Sequence, residues 1–91
     1  MPWVKVKWIG DLWKIKDDIL VLKDGANIYD LIKAFDAQYG TKMWKSSINM
    51  NTMDLQEDSV ILVNSRPVRG KLDTPLIDGD VITIIPNVGC C

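Results

Sequence analysis

A chain of 91 residues with a formal charge of −1 is the size of one domain, and it carries no bulk charge suited to nucleic acid or an anionic membrane. It contains no histidine, which removes the commonest general base and the commonest metal ligand. No apolar run approaches the ~20 residues that cross a bilayer, and Met1 to Lys5 has no signal-peptide pattern, so a cytoplasmic location is expected. Val4, Val6 and Trp8 alternate with Lys5, Lys7 and Ile9, the period of a half-buried strand. Gly10-Asp11 punctuates it, and Leu12 to Lys16 reads as a turn into a second strand at Ile19 to Leu22. Asn27 suits a helix N-cap, with Asp30 in the first turn, where its charge complements the helix dipole. Ile28, Leu31, Ile32, Phe35 and Tyr39 then form one apolar stripe, with Asp30, Lys33 and Asp36 facing away and Gly40 at the C-terminal cap. Such a stripe is core and is assigned no chemistry.

Thr41 to Asp58 has no clean period. A loop with a short helix is expected, with Met43, Trp44, Met50 and Met53 closing an open end of the core; a partner-binding surface there is the lesser alternative. Val60 to Val63 is a third strand, Asn64-Ser65 a turn, and Arg66-Pro67-Val68 a short edge strand, where proline is tolerated. Leu72 to Leu76 reads as a single helical turn, Asp78-Gly79-Asp80 as a tight turn, and Val81 to Ile85 as the last strand. The order β-β-α-β-(β)-β predicts an α+β domain, a mixed sheet of four to five strands with one main helix packed on one face. In the last strand Ile82 and Ile84 should point to the core and Val81, Thr83 and Ile85 to the other face.

After Pro86 the chain ends in Asn-Val-Gly-Cys-Cys, with no turn or helix signal. The expected organisation is a domain over 1–86 and a flexible tail over 87–91. Cys90 and Cys91 are adjacent, so a disulfide between them would close no loop and cannot staple the fold.

Val-Asn-Ser-Arg (63–66), Leu-Asp-Thr-Pro-Leu (72–76), Asp-Gly-Asp (78–80) and the terminal tail together resemble the MoaD/ThiS family of ubiquitin-like, β-grasp sulfur carriers. Gly25-Ala26-Asn27 before the helix is similar to the family's Gly-Ala-Thr step. The resemblance implies a carrier without catalysis of its own. A ubiquitin-activating-type enzyme uses ATP to adenylate the terminal glycine carboxylate. Sulfur transfer then gives a thiocarboxylate, delivered to a sulfur-accepting synthase such as that of molybdopterin biosynthesis, or the tail is joined to a target protein. No cofactor is bound permanently. Ile85 stands where relatives dock an exposed apolar residue on the activating enzyme, with Thr83, Pro86 and Val88 beside it; Gly89, Cys90 and Cys91 form the carrying tail.

The family ends in Gly-Gly, and this chain places Cys90 and Cys91 at those two positions, with Gly89 one place early. The pair is a trailing extension that a processing peptidase removes to expose Gly89, a persulfide carrier, two soft ligands completed by another chain, a prenylation ending, or incidental. Two other functions stand beside the carrier: a β-grasp protein-binding module, or a ubiquitin-like modifier without sulfur chemistry. An enzyme is the weakest option. Asp17/Asp18, Asp54/Glu57 and Asp78/Asp80 are carboxylate pairs in expected turns, where such residues are solvated or cap the backbone.

Overall fold

The computed structural model describes residues 1–9, 15–57 and 59–85. Strand β1 (Trp3–Ile9) pairs antiparallel with β2 (Ile15–Val21), setting Lys5 opposite Ile19 and Lys7 opposite Asp17. Helix α1 (Ile28–Tyr39) follows, then α2 (Met43–Ser47) and a two-stranded ribbon of β3 (Ile48–Asn49) and β4 (Asp54–Leu55). β5 (Val60–Val63) and β6 (Arg66–Pro67) form a hairpin, and β7 (Asp80–Ile85) closes the chain's main sheet. That sheet runs β2-β1-β7-β5-β6, with β1 and β7 parallel and its other pairs antiparallel.

The core lies between the sheet and α1. Val4 and Val6 of β1, Leu20 of β2, Ile61 of β5 and Ile82 and Ile84 of β7 meet Ile28, Leu31, Ile32 and Phe35 of the helix. Each such side chain contributes about 1.5–3 kcal/mol on leaving water. The helix is bounded as its sequence predicts. Asp30 N donates to Asn27 Oδ1 and Asn27 N to Asp30 Oδ2, both at 3.1 Å, a capping box that satisfies two otherwise orphaned amides. Gly40 takes the left-handed conformation at φ 67° and returns its N–H to Asp36 O at 2.8 Å. Tyr39, the last residue of the stripe, is half-buried and joins Trp8 and Phe35 in an aromatic cluster.

Several expectations are corrected. Asp36 does not simply face water: its carboxylate accepts from Thr41 Oγ1, Met43 N and Trp44 N and so anchors the start of α2. The short helix after Thr41 is present, but the β3–β4 ribbon was unforeseen. Met43 and Trp44 pack on the core with buried Ile48 and Leu55, whereas Met50 and Met53 are exposed. Leu72 to Leu76 is not a helical turn: one tight turn, closed by Thr74 N to Lys71 O at 3.2 Å, leads into irregular chain at Pro75 and Leu76. Pro75 removes a donor, and Ile28 N to Leu72 O and Leu76 N to Ala26 O tie the segment to the helix entry instead. β2 begins at Ile15, which places Ile15 to Asp18 in a strand rather than a turn; residues 12–14 lie outside the described residues.

Candidate docking face and tail

The helix covers one face of the sheet and leaves the other open. On β7 the period-two reading holds: Ile82 and Ile84 are buried, Val81 and Thr83 half-buried, and Ile85 is 39% exposed. Thr83 sits between Lys7 of β1 and Leu62 of β5, and Ile85 lies opposite exposed Val60. Trp3, Ile15, Ile19 and Val21 extend the same face toward the β2 edge, all exposed. Lys5 and Lys7 are half-buried among them, since Val4 and Val6 take the core side of β1. Apart from Ile85 and Thr83, the sequence reading had singled out none of these as a docking group. The signal was there: alternation on β1 and β2 fixes which residues turn away from the helix, once it is known that no element among the described residues covers that side.

β7 is a central strand, held along both edges. It lies inside the sheet, bonded to β1 on one side and β5 on the other. Its start is fastened too: Asn64 N donates to Val81 O at 2.8 Å, Val81 N to Asn64 Oδ1 at 3.0 Å, and Asn64 Nδ2 to Asp80 Oδ1 at 3.0 Å. The exit point at Ile85 is therefore fixed by hydrogen bonds along both edges of the strand. Pro86, Val88, Gly89, Cys90 and Cys91, the remaining residues singled out for docking or carrying, lie outside the described residues.

The carboxylate pairs do not assemble an acid–base site. Asp78 accepts Trp3 N at 3.0 Å, and Asp80 accepts Ile77 N at 2.9 Å besides Asn64. Asp54 accepts Gly70 N at 3.0 Å and Leu55 N at 2.8 Å; these amides, that of Gly70 first, hold its carboxyl below the usual range. Asp18 accepts the Tyr39 hydroxyl and the Ile19 amide, which likewise lower it. Burial, with Asp18 opposite, pushes the Tyr39 hydroxyl up to about 12. Asp17 and Asp18 point to opposite faces of β2, so they cannot share a proton or a substrate. Among the described residues, no group of three or more acidic residues is arranged to hold a metal ion.

A mixed sheet of this order with one helix across it is the β-grasp fold of ubiquitin-like proteins. The chain belongs to the ThiS family, whose model matches residues 6–89. Among solved structures, a Pyrococcus furiosus protein assigned as molybdopterin converting factor subunit 1 is 26% identical, with a TM-score of 0.68 over 97% of this chain and 100% of that one. Small archaeal modifier protein 1 of H. volcanii is 15% identical, with a TM-score of 0.71 over 97% of this chain and 100% of that one. Its namesake from Methanosarcina acetivorans is 22% identical, with a TM-score of 0.64 over 100% of this chain and 98% of that one. A comparison with curated proteins finds none that matches. Among the described residues, no helix is long and apolar enough to cross a membrane.

Proposed function

We propose that this protein is a ubiquitin-like sulfur carrier that works in the cytoplasm as the substrate of a ubiquitin-activating-type adenylating enzyme. The observation that carries the reading is the family match, which runs from residue 6 through Gly89 and stops before Cys90 and Cys91. In this reading a peptidase removes the two cysteines, and the partner docks on the open face at Ile85, with Thr83, Pro86 and Val88 alongside. The Gly89 carboxylate attacks ATP and expels pyrophosphate. A sulfur donor then displaces AMP and leaves a thiocarboxylate. Glycine suits that terminus, because a residue without Cβ lets the backbone approach ATP closely. ATP is the partner's substrate, and the carrier itself holds no cofactor. The name of the Pyrococcus furiosus relative favours a molybdopterin synthase as the sulfur acceptor.

The names of the archaeal modifier structures favour a second use of the same activated carboxyl, an amide bond to a lysine of a target protein. Both uses share the first step and part at the second.

The test pairs the chain, full length and ending at Gly89, with an adenylating enzyme from the same genome. Expected are ATP–pyrophosphate exchange with the shorter chain and, with a sulfur donor, a mass gain of about 16 Da, oxygen replaced by sulfur on an activated acyl group. Ile85→Asp should raise the KM of that exchange about tenfold while the melting temperature holds, because an exposed anchor at a docking surface costs binding and not folding. Exchange with neither chain would sink the carrier and the modifier together. Exchange without thiocarboxylate, but with lysine conjugates in a lysate, would leave the modifier.

A further inference from the structure

Away from the open face, on the helix side, the β5–β6 hairpin, the turns after β6 and the first residue of α1 enclose an open cleft of about 600 Å³. Small-molecule sites commonly fall between about 300 and 1,000 Å³. Its accessible apolar lining comes from Val63, Pro67, Pro75 and Ile77, over a floor of buried Ile28, Val68 and Leu76. Two cations, Arg66 and Lys71, also line it, and among the described residues neither has a carboxylate within ion-pair distance. The acid in the lining, Asp80, is 7% exposed, and its oxygens already accept Asn64 Nδ2 and Ile77 N. The cleft therefore offers positive charge on an apolar wall, with its negative charge internally satisfied.

The occupant this chemistry fits is a small molecule and not an added strand. Val68 N donates to Ile61 O, so by the antiparallel alternation the backbone of Pro67 faces the free edge of β6. Proline has no amide hydrogen to offer there, and β6 is two residues long. A peptide would find almost no ladder to extend. An acidic head could reach the guanidinium of Arg66 in bidentate fashion and the ammonium of Lys71, while an apolar body lies against Val63, Pro75 and Ile77.

We propose that this cleft is a binding site for a small amphipathic anion, an aromatic or branched aliphatic body bearing one carboxylate, sulfonate or phosphate. The site is independent of the carrier reading, and neither Thr83 nor Ile85 lines it.

Anilinonaphthalene sulfonate serves as the probe, and N-phenylnaphthylamine, the same aromatic body without the acid, as its neutral counterpart. Fluorescence titration of the full chain should show one saturable sulfonate site. The double variant Arg66→Gln, Lys71→Gln should weaken it about tenfold or more, the loss expected when charge-assisted bonds go, while the neutral probe changes little. Lys5→Gln, Lys7→Gln on the open face should leave both probes unchanged. Amide shifts in a ¹⁵N spectrum should cluster on Asn64, Arg66, Val68, Lys71 and Leu76, and equal melting temperatures exclude misfolding as the source of any difference. The proposal is overturned if the wild type does not bind the sulfonate saturably, if the Arg66/Lys71 variant binds it as well, or if the shifts map to β1 and β7.

Discussion

At the scale of single residues, the hairpin turn between β5 and β6 carries a visible cost. Asn64 and Ser65 both lie in the left-handed region, at φ 52° and 69°, the two-residue geometry whose twist suits a hairpin. Asparagine tolerates that conformation, and its side chain is used here to fasten β7. Serine has no such compensation. Ser65→Gly should therefore raise stability by about 0.5–1 kcal/mol, the relief of left-handed strain less the added chain entropy of glycine. The check is the urea midpoint at unchanged slope. No shift would mean that Ser65 is not strained. The sequence showed a turn here, but it could not show that both residues would be left-handed, because Asn-Ser also fits turns with negative φ.

Among elements, one distant side chain, Arg69, ties the end of the β3–β4 ribbon to the start of β5. The Arg69 guanidinium donates to Leu55 O and Gln56 O at 2.7 Å and to Ser59 O at 2.8 Å, gathering the end of the ribbon and the start of β5 around one planar group. Nothing in the local pattern announced this. Two-residue strands and a five-residue helix are too short to show a period, and a lone arginine in a loop reads as solvated. Arg69→Ala should cost about 1.5–3 kcal/mol, since three carbonyls lose a charged donor. Arg69→Lys should recover less than half of it, because an ammonium cannot reproduce the planar fork. Hydrogen exchange gives the localising readout: protection should fall first in β3, β4 and the residues leading to β5, with β1 and β7 holding. Uniform loss across the sheet would show that Arg69 supports the whole fold rather than this segment. The main elements behave differently. The stripe of α1 and the alternation of β1 and β7 were legible because each runs long enough for its period to count.

For the molecule as a whole, acid should be the condition that loosens the fold. The Asn27 amide lowers the Asp30 carboxyl, with Lys23 at 3.3 Å adding to it. The amide of Gly70 lowers Asp54, and the Tyr39 hydroxyl lowers Asp18. All three are depressed below the ordinary 3.8 in the folded state, so each stabilises the fold above that value and loses its contribution as pH falls through the lower folded value. With no histidine in the chain, nothing of that residue type titrates between the carboxylates and the weak bases. Melting temperature should be nearly flat from about pH 5 to 8 and fall below about pH 4, and Asp30→Asn and Asp54→Asn should each make the acid limb shallower. An unchanged limb in both variants would remove these carboxylates as its cause. Each one tethers elements separate in sequence or caps one, so the acid limb reports loosening of helix entry, ribbon and sheet edge together.

By itself, the sequence determined the class of fold, the helix with its caps, the inward and outward sides of β7 and the family to which the chain is similar. Those properties follow from local periods and from short motifs whose backbone needs are met within a few residues. Tertiary structure decided the rest. It set β7 between β1 and β5, turned Asp36 into the anchor of α2, brought Arg69 to the β3–β4 ribbon and placed Arg66 and Lys71 on one cleft. It also decided that, among the described residues, the face bearing Ile85 stands open, because a residue's direction is local whereas what packs over it is a property of the folded molecule.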